Sequence, residues 1–222
     1  MYRMWTVVRG LAAGLLCLLA ACATVPTTRA PAPGEVLDGL VERYFDELMA
    51  LNPTVATMYG QPGNDDRLEL TPTPGYQAAM RELSQRYFDA VGAVAPDGLS
   101  DQDRLTRDIF LRERRLDLEA DRFPSRLLPF DQYNGGIPET LALYGSGASA
   151  QQFRTPGDYD RWIRRASQFP AWMDAAIAAM REGVQAGVTV PRGAMAKSVP
   201  ALDALVVQKV EDSPFYAPVR NI

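Results

Sequence analysis

Residues 35–50 read E-V-L-D-G-L-V-E-R-Y-F-D-E-L-M-A, and this stretch decides the fold class. Leu37, Leu40, Val41, Tyr44, Phe45 and Leu48 recur at three- and four-residue spacing, while Glu35, Asp38, Glu42 and Asp46 take the other side. A period of 3.6 is that of an amphipathic helix with one buried face. Working outward, each later apolar run repeats that period between turn residues, and no stretch alternates as a strand would. The chain therefore reads as all-α, a multi-helix array without internal repeat.

Asn52-Pro53 offers an N-cap and a first-turn proline for a short helix through Tyr59, closed by Gly60. Residues 61–74 form a loop, and a helix from Gly75 to about Val94 turns Met80, Leu83, Tyr87, Phe88 and Val91 inward. Ser100 with Asp103 opens a helix to about Ala120, with Leu105, Ile109, the Arg112 stem and Leu116 facing in. Asp103 with Arg107, and Asp108 with Arg112, stand at the i,i+4 spacing of helical ion pairs.

After the irregular segment 123–136, a helix is expected around Pro138–Tyr144, ended at Gly145-Ser146-Gly147. Thr155-Pro156-Gly157-Asp158 starts the next, burying Tyr159, Trp162, Ile163 and Ala166. Beyond Pro170, a helix carrying Met173, Ala176, Ile177, Met180 and Val184 stops at Gly187. Pro191 begins a last helical stretch to about Glu211, kinked near Pro200.

The first residues form an address. Arg3 and Arg9 precede an apolar run from Leu11 to Ala21, too short to span a bilayer comfortably, which is the layout of a secretory signal. Leu19-Ala20-Ala21-Cys22 resembles the bacterial lipobox, so residues 1–21 are assigned as a lipoprotein signal peptide and Cys22 as the lipidated residue. Residues 22–34 make a Pro-, Thr- and Ala-rich tether, and residues 35–222 the helical domain. Ala23 after the cysteine resembles the sorting pattern for the outer membrane of a diderm bacterium, facing the periplasm. The expected partner is thus a membrane, held through the N-terminal lipid. Cys17 would leave with the signal, so no intramolecular disulfide is available.

Composition excludes much chemistry. The chain of 222 residues has no His, so a His-dependent triad, a Cys–His pair and an H-E-x-x-H zinc helix cannot be built from it. No G-x-S-x-G or S-x-x-K nucleophile motif occurs, and Asp101-Gln102-Asp103 lacks the glycine and distal acid of a calcium loop. The formal net charge is −4 with no basic tract, so nucleic acid is excluded as a partner. Arg112, Arg114 and Arg115 interleave with Glu113, Asp117 and Glu119, the pattern of a solvated helix face. Two clusters could line a pocket, Phe130 to Asn134 and the pair Trp162 and Trp172, although core packing suits both better. No catalytic, cofactor-binding or metal-binding residue is assigned, and nothing in the pattern specifies an oligomeric state.

Several pieces of the chain, in order, resemble a bacterial family, the domain of unknown function family 885. They are Leu51-Asn52-Pro53-Thr54-Val55-Ala56-Thr57-Met58-Tyr59-Gly60, then Leu99-Ser100-Asp101-Gln102-Asp103-Arg104 with Arg107-Asp108. The segment Pro129 to Gly136, Gly187-Val188-Thr189-Val190-Pro191 and Ser213-Pro214-Phe215-Tyr216-Ala217-Pro218 complete the set. The resemblance implies a larger, mostly helical protein related to gluzincin-like zinc metallopeptidases, more than twice this length, with its metal motif downstream of Ile222. On that reading the fold is incomplete relative to the parent, and the chain is the N-terminal scaffold portion, ending at Arg220-Asn221-Ile222 where a new element would begin. Zinc and a peptide substrate are expected of the full-length parent, and no cofactor of this chain. The alternative is a non-catalytic, membrane-tethered helical lipoprotein that binds a partner.

Overall fold

The computed structural model describes residues 31–130, 136–203, 206–213, 216, 218 and 220. The signal, Cys22 and most of the tether lie outside the described residues, as do Asp131 to Asn134. Every regular element among the described residues is helical, with no strand. In chain order these are α1 (Pro33–Leu51), α2 (Pro53–Met58), α3 (Pro74–Gly92), α4 (Asp101–Ala120), α5 (Gly136–Gly145), α6 (Pro156–Ala166), α7 (Phe169–Ala186) and α8 (Arg192–Asp203). Short 3-10 turns occupy Ser125–Leu127 and Val210–Asp212. The all-α expectation is borne out.

Two apolar cores organise Pro33–Ile222. The first joins α1, α3 and α4 through Leu37, Tyr44, Leu83, Tyr87, Val91 and Phe110. Tyr44 meets Tyr87 and Phe110 edge-on, with ring centroids 5.4 and 5.0 Å apart, the favoured geometry for aromatic quadrupoles. The second joins the loop before α3 to α5, α6 and α7 through Leu68, Phe130, Leu141, Tyr144, Trp162 and Trp172.

Helix ends follow the sequence closely at several points. Ser100 Oγ accepts from the Asp103 N–H at 3.1 Å, and Asp103 accepts from the Ser100 N–H at 3.3 Å, a complete capping box for α4. Gly187 ends α7 at φ +72°, a left-handed position that glycine adopts without steric cost. Asn52 departs from expectation. Its side chain does not cap α2; it donates back to Leu48 O at 2.8 Å, closing α1, and accepts from the Tyr76 hydroxyl at 2.6 Å. The proline at the start of α2 needs no partner for a missing N–H, which frees the asparagine for the preceding helix.

Other expectations are corrected. On α4 the inward face is not Leu105, Ile109 and Leu116, which are 53%, 51% and 44% exposed; Phe110 is buried instead. Arg112 is also exposed. The i,i+4 pairs of α4 do not form: Arg107 turns back to cap α3, donating to Val94 O at 2.9 Å and Gly92 O at 3.2 Å, and Arg112 meets Glu113. Ile163 and Val184 are exposed, their expected places in the core being taken by Arg165 on α6 and Gly183 on α7. The last helix does not run to Glu211; α8 ends at Asp203, three residues beyond its internal Pro200, which cannot donate within a helix.

Gly183 on α7 is buried where the backbone leaves no room for a side chain. A Cβ there would stand 2.6 Å from Val188 O and 3.3 Å from Leu127 O. Both are backbone atoms, and Val188 N–H donates to Gly183 O at 2.8 Å to close the helix end. Gly183→Ala is therefore expected to destabilise the chain by about 1–3 kcal/mol, read as a lowered thermal midpoint by circular dichroism. An unchanged midpoint would show that the α7 end is not packed this way.

Candidate functional site

The densest polar arrangement among the described residues is built on Arg165. It sits three residues after Trp162 and seven after Asp158, on the stripe of α6 that faces the second core. Its side chain is 0% exposed. Nε donates to Arg67 O at 2.8 Å, one terminal nitrogen to Gln151 Oε1 at 2.7 Å, and the other to Thr57 Oγ1 at 2.7 Å, Pro53 O at 3.2 Å and Asn64 O. The guanidinium lies 5.7 Å from the Tyr144 ring centroid. Burial pulls its pKa below the ordinary arginine value, while the negative charges of Asp65 and Glu69 act against that shift.

The surrounding groups are satisfied in turn. Thr57 donates to Asp65 at 2.8 Å. Glu69 receives the Thr54 N–H at 3.1 Å and the Thr54 hydroxyl, and the Tyr144 hydroxyl donates to Thr54 O at 2.8 Å. Gln168 brackets the same loop, accepting from Leu68 N–H at 3.1 Å and donating to Asp66 O at 2.7 Å. These bonds fasten residues 64–69 and α2 to α6. Because α2 continues directly from α1, Arg165 ties the helices of the first core to those of the second. A planar guanidinium with five fixed donors is the side chain suited to gathering several carbonyls at one buried point.

This centre can hold structure but offers no reactive atom, since Arg165 is enclosed and its donors are occupied. A second polar site is the groove of about 210 Å³ between α3 and α4, lined by Tyr76, Met80, Ser84, Asp117 and Asp121. There Ser84 donates to Asp117 at 3.2 Å, and Arg114 pairs with Asp117 at 2.8 Å. A serine activated for nucleophilic attack needs a proton acceptor that is itself oriented and free; a carboxylate already held by an arginine does not serve. Burial pushes the Tyr76 phenol up to about 12, so it stays a neutral hydrogen-bond donor to Asn52.

The donor set does not fit zinc. The chain contains no imidazole, and among the described residues no three His, Cys, Asp or Glu side chains stand close enough to hold a metal ion. Of the sequence candidates, Phe130 is buried, edge-on to Trp172 with centroids 5.4 Å apart, and belongs to the second core. Trp162 and Trp172 lie in the same core rather than clasping a ligand. The lipidation residue Cys22 lies outside the described residues. Arg165, Gln151 and Glu69 escaped the sequence reading. The available signal was the spacing Asp158, Trp162, Arg165, which follows one helical face.

The model of a family described as "Bacterial protein of unknown function (DUF885)" matches residues 53–222, and the chain belongs to that family. No curated protein and no solved structure matches it. The matched region begins at Pro53, whose carbonyl is one of the acceptors of Arg165, so Arg165 and all five of its hydrogen-bond partners fall within the family's own segment.

Proposed function

We propose that this DUF885 chain is the N-terminal helical scaffold of an exported lipoprotein of the zinc-metallopeptidase type, anchored through Cys22. In that reading these residues form a wall of the substrate cleft, and the zinc-binding helix is encoded outside them. Zinc, when held by that helix, would polarise the peptide carbonyl and activate water; the residues present here would position and support.

The observation that carries the reading is the combination of a tightly fastened polar centre with no chemistry of its own. A buried guanidinium that joins two helical cores is what a supporting wall requires, and the chain offers neither imidazole nor a metal-holding cluster among its described residues. The lipobox-like Leu19-Ala20-Ala21-Cys22 supports the envelope address, with the outer membrane facing the periplasm as the favoured location.

The address is tested by fractionation. Cys22→Ala is expected to shift the protein from the membrane to the soluble fraction, because a lipid chain contributes about 0.8 kcal/mol per buried methylene. Unchanged membrane association would remove the lipoprotein part of the proposal. The scaffold part predicts that the DNA beyond codon 222 continues in frame into a His-Glu motif.

A further inference from the structure

The outward face of α4 carries a pattern that the fold does not use. Leu105, Ile109 and Leu116 form an exposed stripe roughly 100–140° around the helix from the buried Phe110, with the exposed Arg112 stem continuing it. Helix α4 packs against α3 and α1. Along one flank of the stripe run Asp101, Arg104, Asp108, Arg115, Glu119 and, just past the helix end, Arg122, all exposed. Asp101, Arg104, Glu119 and Arg122 form no ion pair among the described residues, and Asp108 touches only its neighbour Arg107, at 3.5 Å.

The order of these charges is antisymmetric about a midpoint between Leu111 and Arg112. Asp108 and Arg115 stand equally far on either side of it, as do Arg104 and Glu119, and Asp101 and Arg122. In every pair the signs are opposite. That is the arrangement a twofold, antiparallel contact with an identical helix requires, because an isologous interface sets each residue against the one equally far across the axis. We infer that α4 pairs with α4 of a second copy of this chain, antiparallel, through the Leu105–Ile109–Leu116 stripe.

In that contact Asp108 meets the partner's Arg115 and Arg104 meets the partner's Glu119, each twice by symmetry. Leu105, Ile109 and Leu116 lie along the seam between the two copies. The Arg112 stem extends that seam, while its charge stays matched by Glu113 at 3.3 Å. A helix of 20 residues is about 30 Å long, so the contact covers on the order of 350 Å² per copy. This is below the roughly 800 Å² per partner of a stable complex, and the pairing is weak and reversible. An anionic bilayer is a poor occupant of the same face, since Asp101, Asp108, Glu113 and Glu119 border the stripe.

Sedimentation equilibrium of the full chain in mild detergent tests the inference, independently of the function proposed above. The wild type is expected to show a concentration-dependent monomer–dimer equilibrium that weakens with salt. Asp108→Arg alone and Arg115→Asp alone each place like charges opposite one another twice, and are expected to weaken dimerisation at least about tenfold. The double variant restores both pairs and is expected to return within about threefold of wild type. Arg104→Glu with Glu119→Arg repeats the cycle at separate positions should one variant fail to fold, as judged by its thermal melt. A wild type that stays monomeric or forms larger open assemblies, or single swaps that change nothing, or a double variant that is not rescued, would overturn it.

Discussion

Arg165→Ala is expected to lower the stability of the chain by about 3–5 kcal/mol, the range seen when one member of a buried charged network is removed. For a domain of this size that corresponds to a fall in melting temperature of roughly 10–15 °C. The reason lies in what is left behind. The carbonyls of Pro53, Asn64 and Arg67, Gln151 Oε1 and Thr57 Oγ1 all accept from this one side chain. Truncation leaves them facing a buried space, and Asp65 and Glu69 lose the favourable charge of Arg165. Arg165→Lys is expected to recover only a minor part, because a point ammonium with three donors cannot span acceptors that approach from both ends of a planar fork. Thermal melts followed by circular dichroism distinguish the cases; a loss below about 1 kcal/mol for the alanine variant would mean that the two cores hold together without the clamp.

Trp172→Ala is the second large effect, at about 3–5 kcal/mol. The indole is 1% exposed, and Nε1 donates to Thr71 Oγ1 at 3.0 Å. Its ring meets Phe130 edge-on and Phe169 in parallel, with centroids 5.4 and 6.2 Å away. Removing it opens a cavity at the point where α7 contacts the loop before α3. Trp172→Phe keeps most of the ring volume but loses the hydrogen bond to Thr71, and is expected to cost about 1–2 kcal/mol. Urea denaturation of both variants checks the order; equal losses would assign the whole effect to the hydrogen bond rather than to packing.

The sequence pattern carries the helices and their ends well, and the choice of inward face less well. The amphipathic α1 and the Ser100–Asp103 capping box are both readable, because apolar period and capping chemistry are local. The face of α4 is not, and the physical reason is specific. Its buried side includes Phe110 but also Arg107 and Arg114, the latter lying 4.3 Å from the Tyr44 ring centroid and 5.1 Å from that of Phe110. Arginines stacked on aromatics look polar to any hydrophobic period, so the period selects Leu105, Ile109 and Leu116 on the far side as core. The same misreading recurs on α6, where Ile163 is expected inside; the structure leaves it exposed and buries Arg165.

Beyond the Asp158, Trp162, Arg165 spacing, little of the polar centre is legible in the sequence. Its acceptors are mostly backbone carbonyls at Pro53, Asn64 and Arg67, about a hundred residues from Arg165, and a carbonyl has no residue signature. The Asn52–Gly60 piece stands out in the sequence, whereas the reason for its threonines appears only when Thr54 is seen on Glu69 and Thr57 between Asp65 and Arg165. Composition, by contrast, speaks directly to one kind of chemistry: a chain without imidazole lacks the donors of a histidine-bound metal site.

The proposed division between scaffold and chemistry is tested most directly by measuring bound zinc and peptide hydrolysis side by side for two proteins: the 222-residue chain and the product of its gene's uninterrupted reading frame. The proposal predicts about one zinc per molecule and chelator-sensitive hydrolysis in the longer product, with neither in the 222-residue chain. Stoichiometric zinc and hydrolysis in the 222-residue chain itself, or a longer product that binds no metal, would contradict it.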